Sequence, residues 1–322
     1  MALSSRPSMA LLRQLRRVRP STLPRAAAAG AASPPAATCA RRLQSTTESS
    51  SSSSQPESPS SFSSVNASEV SHFNALASSW WDPHGPSRPL HLMNPLRHDF
   101  IRTCRASQAD YAPDDAFSPR RLRYLDVGCG GGIFAESAAR LPSTASVTAV
   151  DPSPEVLAVA RAHAARDPAL VLPAGEDGLP RLRYVAGTVE TLPAPASAEE
   201  LYDVVSLFEV VEHVDSPAAF LERCGALVRP GGWLVLSTIA RTWTSWLVTN
   251  VVAEDILGAV PRGTHDWRKY INEEEMRAFF ARGKGWGEPL VMGVVYVPGL
   301  GWKEVPGSEK IGNYFFGVRK EA

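Results

Sequence analysis

Leu125-Asp126-Val127-Gly128-Cys129-Gly130-Gly131-Gly132-Ile133-Phe134-Ala135-Glu136 decides how the rest of the chain reads. Leu122-Arg123-Tyr124-Leu125, in front of it, leans apolar between turn formers, the pattern of a buried parallel strand. The run behind it, rich in Ala and Glu, favours a helix. Strand, glycine turn and helix open a nucleotide-type α/β fold, with glycines where the backbone turns tightly and must let a ligand approach. Spacing narrows the ligand. A dinucleotide fingerprint needs glycine where Ile133 stands, and a phosphate loop needs Lys followed by Ser or Thr, which is missing. The bland alternative for such glycines is a tight turn and nothing more.

The next strand speaks against that alternative. Ser146-Val147-Thr148-Ala149-Val150 ends in Asp151, about twenty residues past the glycines, where such folds hold a ribose through a carboxylate. Asp126-x-Gly128-x-Gly130-x-Gly132 followed by Asp151 resembles the opening of class I S-adenosylmethionine-dependent methyltransferases. The resemblance implies S-adenosylmethionine as cofactor, with Asp126, Gly128, Gly130, Gly132 and Asp151 at its site.

The formal net charge is zero, but the charge is unevenly spread. Met1 to Thr47 holds eight arginines and no acid, which leaves the remainder of the chain about eight charges negative. Leu11, Leu12, Leu15 and Val18 recur among those arginines at near-helical spacing. An Arg-rich, Ser-rich, acid-free leader without a continuous apolar stretch has the character of an organelle transit peptide over residues 1–47. A basic tail for nucleic acid is the alternative, but an acidic mature chain repels phosphate, so nucleic acid is not an expected partner. Arg42-Leu43-Gln44 before Ser45 marks a processing point. Residues 48–65, almost pure serine with Pro and Glu, read as a disordered linker. The four cysteines show no paired spacing, so neither zinc nor a disulfide framework is expected. No apolar run reaches the length of a membrane span.

The folded region is expected over residues 66–322, opening with a helical cap, 66–121. Glu69 to Asp82 has helical period, with Val70, Phe73, Leu76 and Ala77 on one face. Trp80 and Trp81 read equally as a lid over a pocket or as packing of the cap. A second helix is expected to begin at Asn94-Pro95-Leu96-Arg97. That places Arg97 at a helix start, where a guanidinium can grip a carboxylate in a bidentate fork. From the glycine turn onward helices and strands alternate, ending in Leu290–Val297 and Asn313–Arg319 with no helix between them. This predicts a Rossmann-like α/β fold: a mostly parallel seven-stranded sheet, an antiparallel final strand and helices on both faces. Ligands in such sheets sit at the carboxyl ends of the strands, so the tips carrying Gly128, Asp151, Thr188 and Glu209 should converge.

After the fourth strand stands Glu209-Val210-Val211-Glu212-His213-Val214-Asp215. On a helical turn, positions i, i+3 and i+4 meet on one face, so Glu209, Glu212 and His213 can point at one spot. Three readings stay open. Two carboxylates and an imidazole suit a divalent ion, Mg²⁺ foremost, which would stabilise a phenolate. His213 can act as a general base without metal, with Glu212 beside it. The pair can also merely cap the following helix.

Phe73-Asn74-Ala75-Leu76-Ala77-Ser78-Ser79-Trp80-Trp81-Asp82, Pro89-Leu90-His91, Asn94-Pro95-Leu96-Arg97, Glu212-His213-Val214 and Gly263-Thr264-His265-Asp266 narrow the resemblance. With the glycine turn, they make residues 66–320 closely similar to the ubiquinone-biosynthesis O-methyltransferases. That resemblance implies methylation of polyprenylated dihydroxybenzoates and demethylubiquinol, in company with other ubiquinone-biosynthesis proteins. It implies a mitochondrial enzyme on the matrix side of the inner membrane, peripherally held. It places cofactor contacts on Arg97, Gly128, Asp151 and Phe208, and metal ligands on Glu209, Glu212 and His213. The loop Asp167–Pro180 is longer than that pattern. An insertion, 241–270, carries Trp243 and Trp246 and suits a prenyl chain or a membrane interface. The alternatives are methylation of another small molecule and a catalytically idle scaffold.

Overall fold

A computed structural model describes residues 64–109, 111, 121–172, 180–242 and 269–322. The leader, nearly all of the serine linker, positions 243–268 with both insertion tryptophans and the Gly-Thr-His-Asp block, and 173–179 of the long loop lie outside the described residues.

The strands are β1 (Leu122–Val127), β2 (Thr144–Asp151), β3 (Leu182–Ala186), β4 (Tyr202–Phe208), β5 (Val228–Ile239), β6 (Leu290–Val297), β7 (Gly301–Glu304) and β8 (Asn313–Arg319). They form one sheet in the order β3-β2-β1-β4-β5-β8-β6-β7. The first five pair in parallel, while β8 runs antiparallel to both of its neighbours, β5 and β6. The expected fold class and antiparallel last strand are therefore present. A short eighth strand, β7, joins the seven as a hairpin partner of β6 along the edge.

Residues on β1 and β4 alternate between two apolar layers, as a sheet covered on both faces requires. Tyr124, Val204 and Phe208 face a cluster with Met93, Phe100 and Phe134. Leu125, Val205 and Leu207 face another with Phe220, Met276 and Phe280. The helices that supply these layers are α1 (Ala67–Leu76), α2 (Arg88–Ala106), α3 (Ile133–Ala139), α4 (Pro154–Ala164), α5 (Pro168–Val171), α6 (Pro217–Ala226) and α7 (Glu273–Arg282).

Two boundaries differ from expectation for physical reasons. Arg229-Pro230-Gly231-Gly232 reads as a turn, yet β5 runs through it. Tyr202 pairs with Val228 and Val204 with Trp233, so these residues form a bulge within one strand. Helix α2 begins at Arg88, not beside Asn94, and carries Pro95 in its interior. Proline there forfeits a helical hydrogen bond. Tertiary contacts hold the helix through it: Asn94 Nδ2 donates to Ser137 Oγ (2.9 Å), and His98 Nε2 lies 2.7 Å from the same hydroxyl. Arg97 consequently sits mid-helix and buried, not at a helix start.

The cap lies on the glycine turn. Asn66 caps α1 by accepting from Ser68 N and Glu69 N, and its amide donates to Asp215 beyond β4 (2.9 Å). Trp80 packs with Ala77, Ile133 and Val156, while Trp81 donates from Nε1 to Gly131 O (2.9 Å) and stacks 3.4 Å from the His163 ring. His163 in turn bonds the fully buried Glu136 of α3 (2.9 Å).

Candidate active site

The turn after β1 is built from backbone conformations that side chains disfavour. Gly128 and Gly130 have φ of 69° and 52°, and a Cβ on Gly130 would strike the Trp80 ring. Gly128 N and Cys129 N both donate to Val150 O, which ties the tip of β1 to that of β2 (2.8 and 3.1 Å). Asp151 completes the clamp. Its Oδ2 accepts from Gly130 N and its Oδ1 from Ser153 N, each at 2.9 Å. Burial raises its pKa, and these two amides pull it back. Each oxygen keeps a lone pair for a further donor.

Asp126 and Arg97 form a buried charge cluster. Burial pushes the Asp126 carboxyl up to about 7, against the Ser206 hydroxyl that donates to it (2.7 Å) and the positive Arg97. Burial lowers the Arg97 pKa, opposed by Glu209 and Asp126. The guanidinium lies 4.9 Å from the Phe208 ring centroid, and its Nε has no hydrogen-bond partner among the described residues.

The acidic tip departs from a regular helical turn. Glu209 adopts φ 57°, costly for a residue with a side chain, and only Val211–His213 form a short 3-10 turn. Its amide donates to Ser237 O (3.1 Å) and its Oε1 accepts from Ser237 Oγ (2.6 Å), which holds the strained residue against β5. Glu212 is buried and accepts from Thr238 Oγ1 (2.9 Å). Burial, then the negative Glu209, lift its carboxyl to about 7. His213 turns the other way, toward the cap, with Nδ1 3.1 Å from Glu69 Oε2. Lys269 Nζ lies 3.2 Å from the other Glu69 oxygen. Burial works against a charged His213, but Glu69 and the neighbouring carboxylates raise its pKa. Glu69 is held down at about 2, chiefly by the His213 hydrogen bond. Glu209, Glu212 and His213, expected to share one face of a helical turn, are each engaged by a different protein partner instead. Among the described residues no three His, Cys, Asp or Glu side chains are grouped to hold a metal.

A cavity of about 640 Å³ opens at these strand tips. Gly128, Asp151, Thr188 and Glu209 all border it, as do Gly130, Phe208, Glu212 and His213. Arg97, Asp126 and Gly132 are not among the residues bordering it. Trp80 lines it while packing in the cap, so lid and core packing describe the same ring. Sequence reasoning missed Glu69, Lys269, Ser237 and Thr238. The only local signal for Glu69 was an acid in the first turn of a cap helix, and its partner lies 144 positions away.

Residues 93–283 match the family model for a methyltransferase domain. The chain is 43% identical to the mitochondrial ubiquinone biosynthesis O-methyltransferase of Schizosaccharomyces pombe, over 80% of this chain and 87% of that one. It is 38% identical to the mitochondrial ubiquinone biosynthesis O-methyltransferase of Candida albicans, over 80% and 86% respectively. Among solved structures, the plantazolicin methyltransferase BpumL in complex with a monoazolic desmethylPZN analog and SAH is similar with a TM-score of 0.50 at 14% identity. That match covers 79% of this chain and 97% of the other, a likeness of fold.

Proposed function

This chain belongs to the ubiquinone biosynthesis O-methyltransferases, and we propose that it methylates a ring hydroxyl of a polyprenylated catechol, using S-adenosylmethionine. The observation that carries the reading is that the Gly130–Asp151 clamp and the Glu69–His213 pair border one cavity. The residues present fit the cofactor. Asp151 has lone pairs to accept the two ribose hydroxyls, and the glycine turn exposes backbone with no Cβ in the way. When bound, S-adenosylmethionine would supply a sulfonium methyl group for in-line attack by the hydroxyl oxygen, with the neutral thioether sulfur as leaving group.

The protein's task is then to make that oxygen nucleophilic, since a phenol with a pKa near 10 is mostly protonated at neutral pH. An ionised Glu69 only accepts hydrogen bonds, so the proton sits on His213 Nδ1 and the lone pair on Nε2. Nε2 takes the hydroxyl proton as general base. Glu69 and Glu212 stabilise the imidazolium that forms, the same interactions that raise the His213 pKa. Phe73 meets the imidazole edge-on at 5.1 Å and keeps water from that side.

A divalent ion, Mg²⁺ foremost, is the second reading, favoured by one observation: Glu209, Glu212 and His213 all border the cavity. It requires Glu212 to leave Thr238 and His213 to leave Glu69, and no step above depends on it. The test is methyl transfer from labelled S-adenosylmethionine to a demethylated quinol, before and after chelation. Labelled quinol ether is expected. Loss on chelation with recovery by one added ion would replace the base by the metal, and no transfer to any catechol would support an idle scaffold.

The same reading divides the chain into a transit peptide (1–47), a linker (48–65) and the catalytic domain (66–322). It places the enzyme in mitochondria, peripheral to the matrix side of the inner membrane and beside other enzymes of the pathway. The acid-free arginine leader and the mitochondrial relatives support this. No helix among the described residues is long and apolar enough to cross a membrane.

A further inference from the structure

Cofactor and prenylated acceptor would have to share the cavity. Some 640 Å³ is the size of a pocket that encloses one drug-sized ligand, and here it must take a nucleoside, a methionyl group and an aromatic ring. A long prenyl chain has to leave it. The topology offers a direction. Cofactor elements sit at β1 and β2, the His213 tip follows β4, and β6 with β7 closes the opposite edge of the sheet. Strand β8 is antiparallel to both β5 and β6, so the carboxyl end of β6 lies at the same end of the sheet as the catalytic tips.

That end of β6 is apolar and aromatic. Val294, Tyr296, Pro298 and Trp302 border the cavity opposite Leu90 and Met93 of α2. Tyr296 and Trp302 meet edge to face with centroids 5.4 Å apart. The hairpin is fixed to α2: Trp302 Nε1 donates to Pro89 O (2.9 Å), and Arg88 reaches the Tyr296 hydroxyl (3.5 Å). The apolar surface continues along the hairpin, and Val295 and Ile311 also border the cavity. Of the six large hydrophobic residues exposed among the described residues, four lie here: Val295, Leu300, Val305 and Ile311, with Leu300 68% exposed. Exposed aliphatics gathered beside a cavity mouth are the pattern of an interaction or ligand-binding surface.

We propose that the β6–β7 hairpin and Ile311 form the subsite for the acceptor's isoprenoid tail, running from Tyr296 and Trp302 out over Leu300. This rests on the acceptor being a prenylated catechol, as proposed above. The hairpin then sets specificity for tailed over tailless acceptors, because each isoprene laid on it leaves water.

The test is steady-state kinetics of the full chain and of Leu300→Ser/Ile311→Ser, whose changes fall on exposed positions, with thermal unfolding to check the fold. Three acceptors are compared: a tailless catechol, the same ring with two isoprene units in solution, and a long-tailed form in phosphatidylcholine vesicles. The expected result is a KM about tenfold higher for both tailed acceptors, kcat kept, and a change of less than about twofold on the tailless ring. Trp302→Leu should repeat the pattern. Equal losses on all three acceptors, or none, overturn the subsite. Loss confined to vesicles overturns it too, making the patch a bilayer contact. Wild-type protein inert on every acceptor overturns the proposed function itself, and this inference with it.

Discussion

At Glu69 one carboxylate meets the His213 imidazole and the Lys269 ammonium, which lie 144 and 200 positions further along the chain. Its pKa of about 2, against 4.5, means that folding favours its ionised form. That contribution is fully present above about pH 4.5 and is lost as pH falls toward 2. His213 is raised, so its contribution is present below its ordinary value of 6.5 and fades as pH rises through the shifted value. Replacing Glu69 by Gln keeps an acceptor for Nδ1–H but removes the charge that stabilises the imidazolium. We expect kcat to fall about 10- to 100-fold, with cofactor affinity unchanged by calorimetry. Chemical denaturation between pH 5 and 3 should show a flatter loss of stability than in the native chain. A steeper or identical slope would mean that Glu69 is not ionised through that pair. None of this was legible in the sequence, because 144 positions separate the partners and only tertiary packing of the cap joins them. Asp151 was legible, since its place at the end of a strand follows from local pattern alone.

Among the elements, the cap does more for the site than its sequence announces. Trp81 joins α1 and α2 to the glycine turn by one hydrogen bond to Gly131 O, and joins them to α4 by stacking on His163. Phenylalanine at 81 keeps the stacking and loses the bond. Thermal unfolding should report a cost of about 1 kcal/mol, and calorimetry a weaker cofactor Kd, because the turn loses its outer brace. Unchanged cofactor affinity would separate the cap from the cofactor site. The strands themselves were readable from apolar runs and turn formers, to the residue for β6 and β8. The interior Pro95 of α2 and the bulge in β5 were not. There the local signals of proline and paired glycines point to breaks that packing against Ser137, and pairing with β4 and β8, override.

For the whole molecule, a single mixed sheet, mostly parallel, does the assembling. Its carboxyl edge brings residues from positions 64 to 313 around one cavity, as the alternation of strands and helices predicts for this class of fold. The glycine turn and Asp151 form the proposed seat of the cofactor, and the cap brings Glu69 to meet His213. Spacing alone placed Glu209, Glu212 and His213 on one helical face. The positive φ of Glu209 and the hydroxyls of β5 distribute them otherwise, and no sequence signal encodes that.

The most direct test of this arrangement is the single-turnover rate of methyl transfer by His213→Gln saturated with S-adenosylmethionine, measured against wild type on one demethylated quinol. The expected result is a cofactor Kd within about twofold and a transfer rate lower by about 100-fold or more. A transfer rate equal to wild type, with the cofactor still bound, would contradict it.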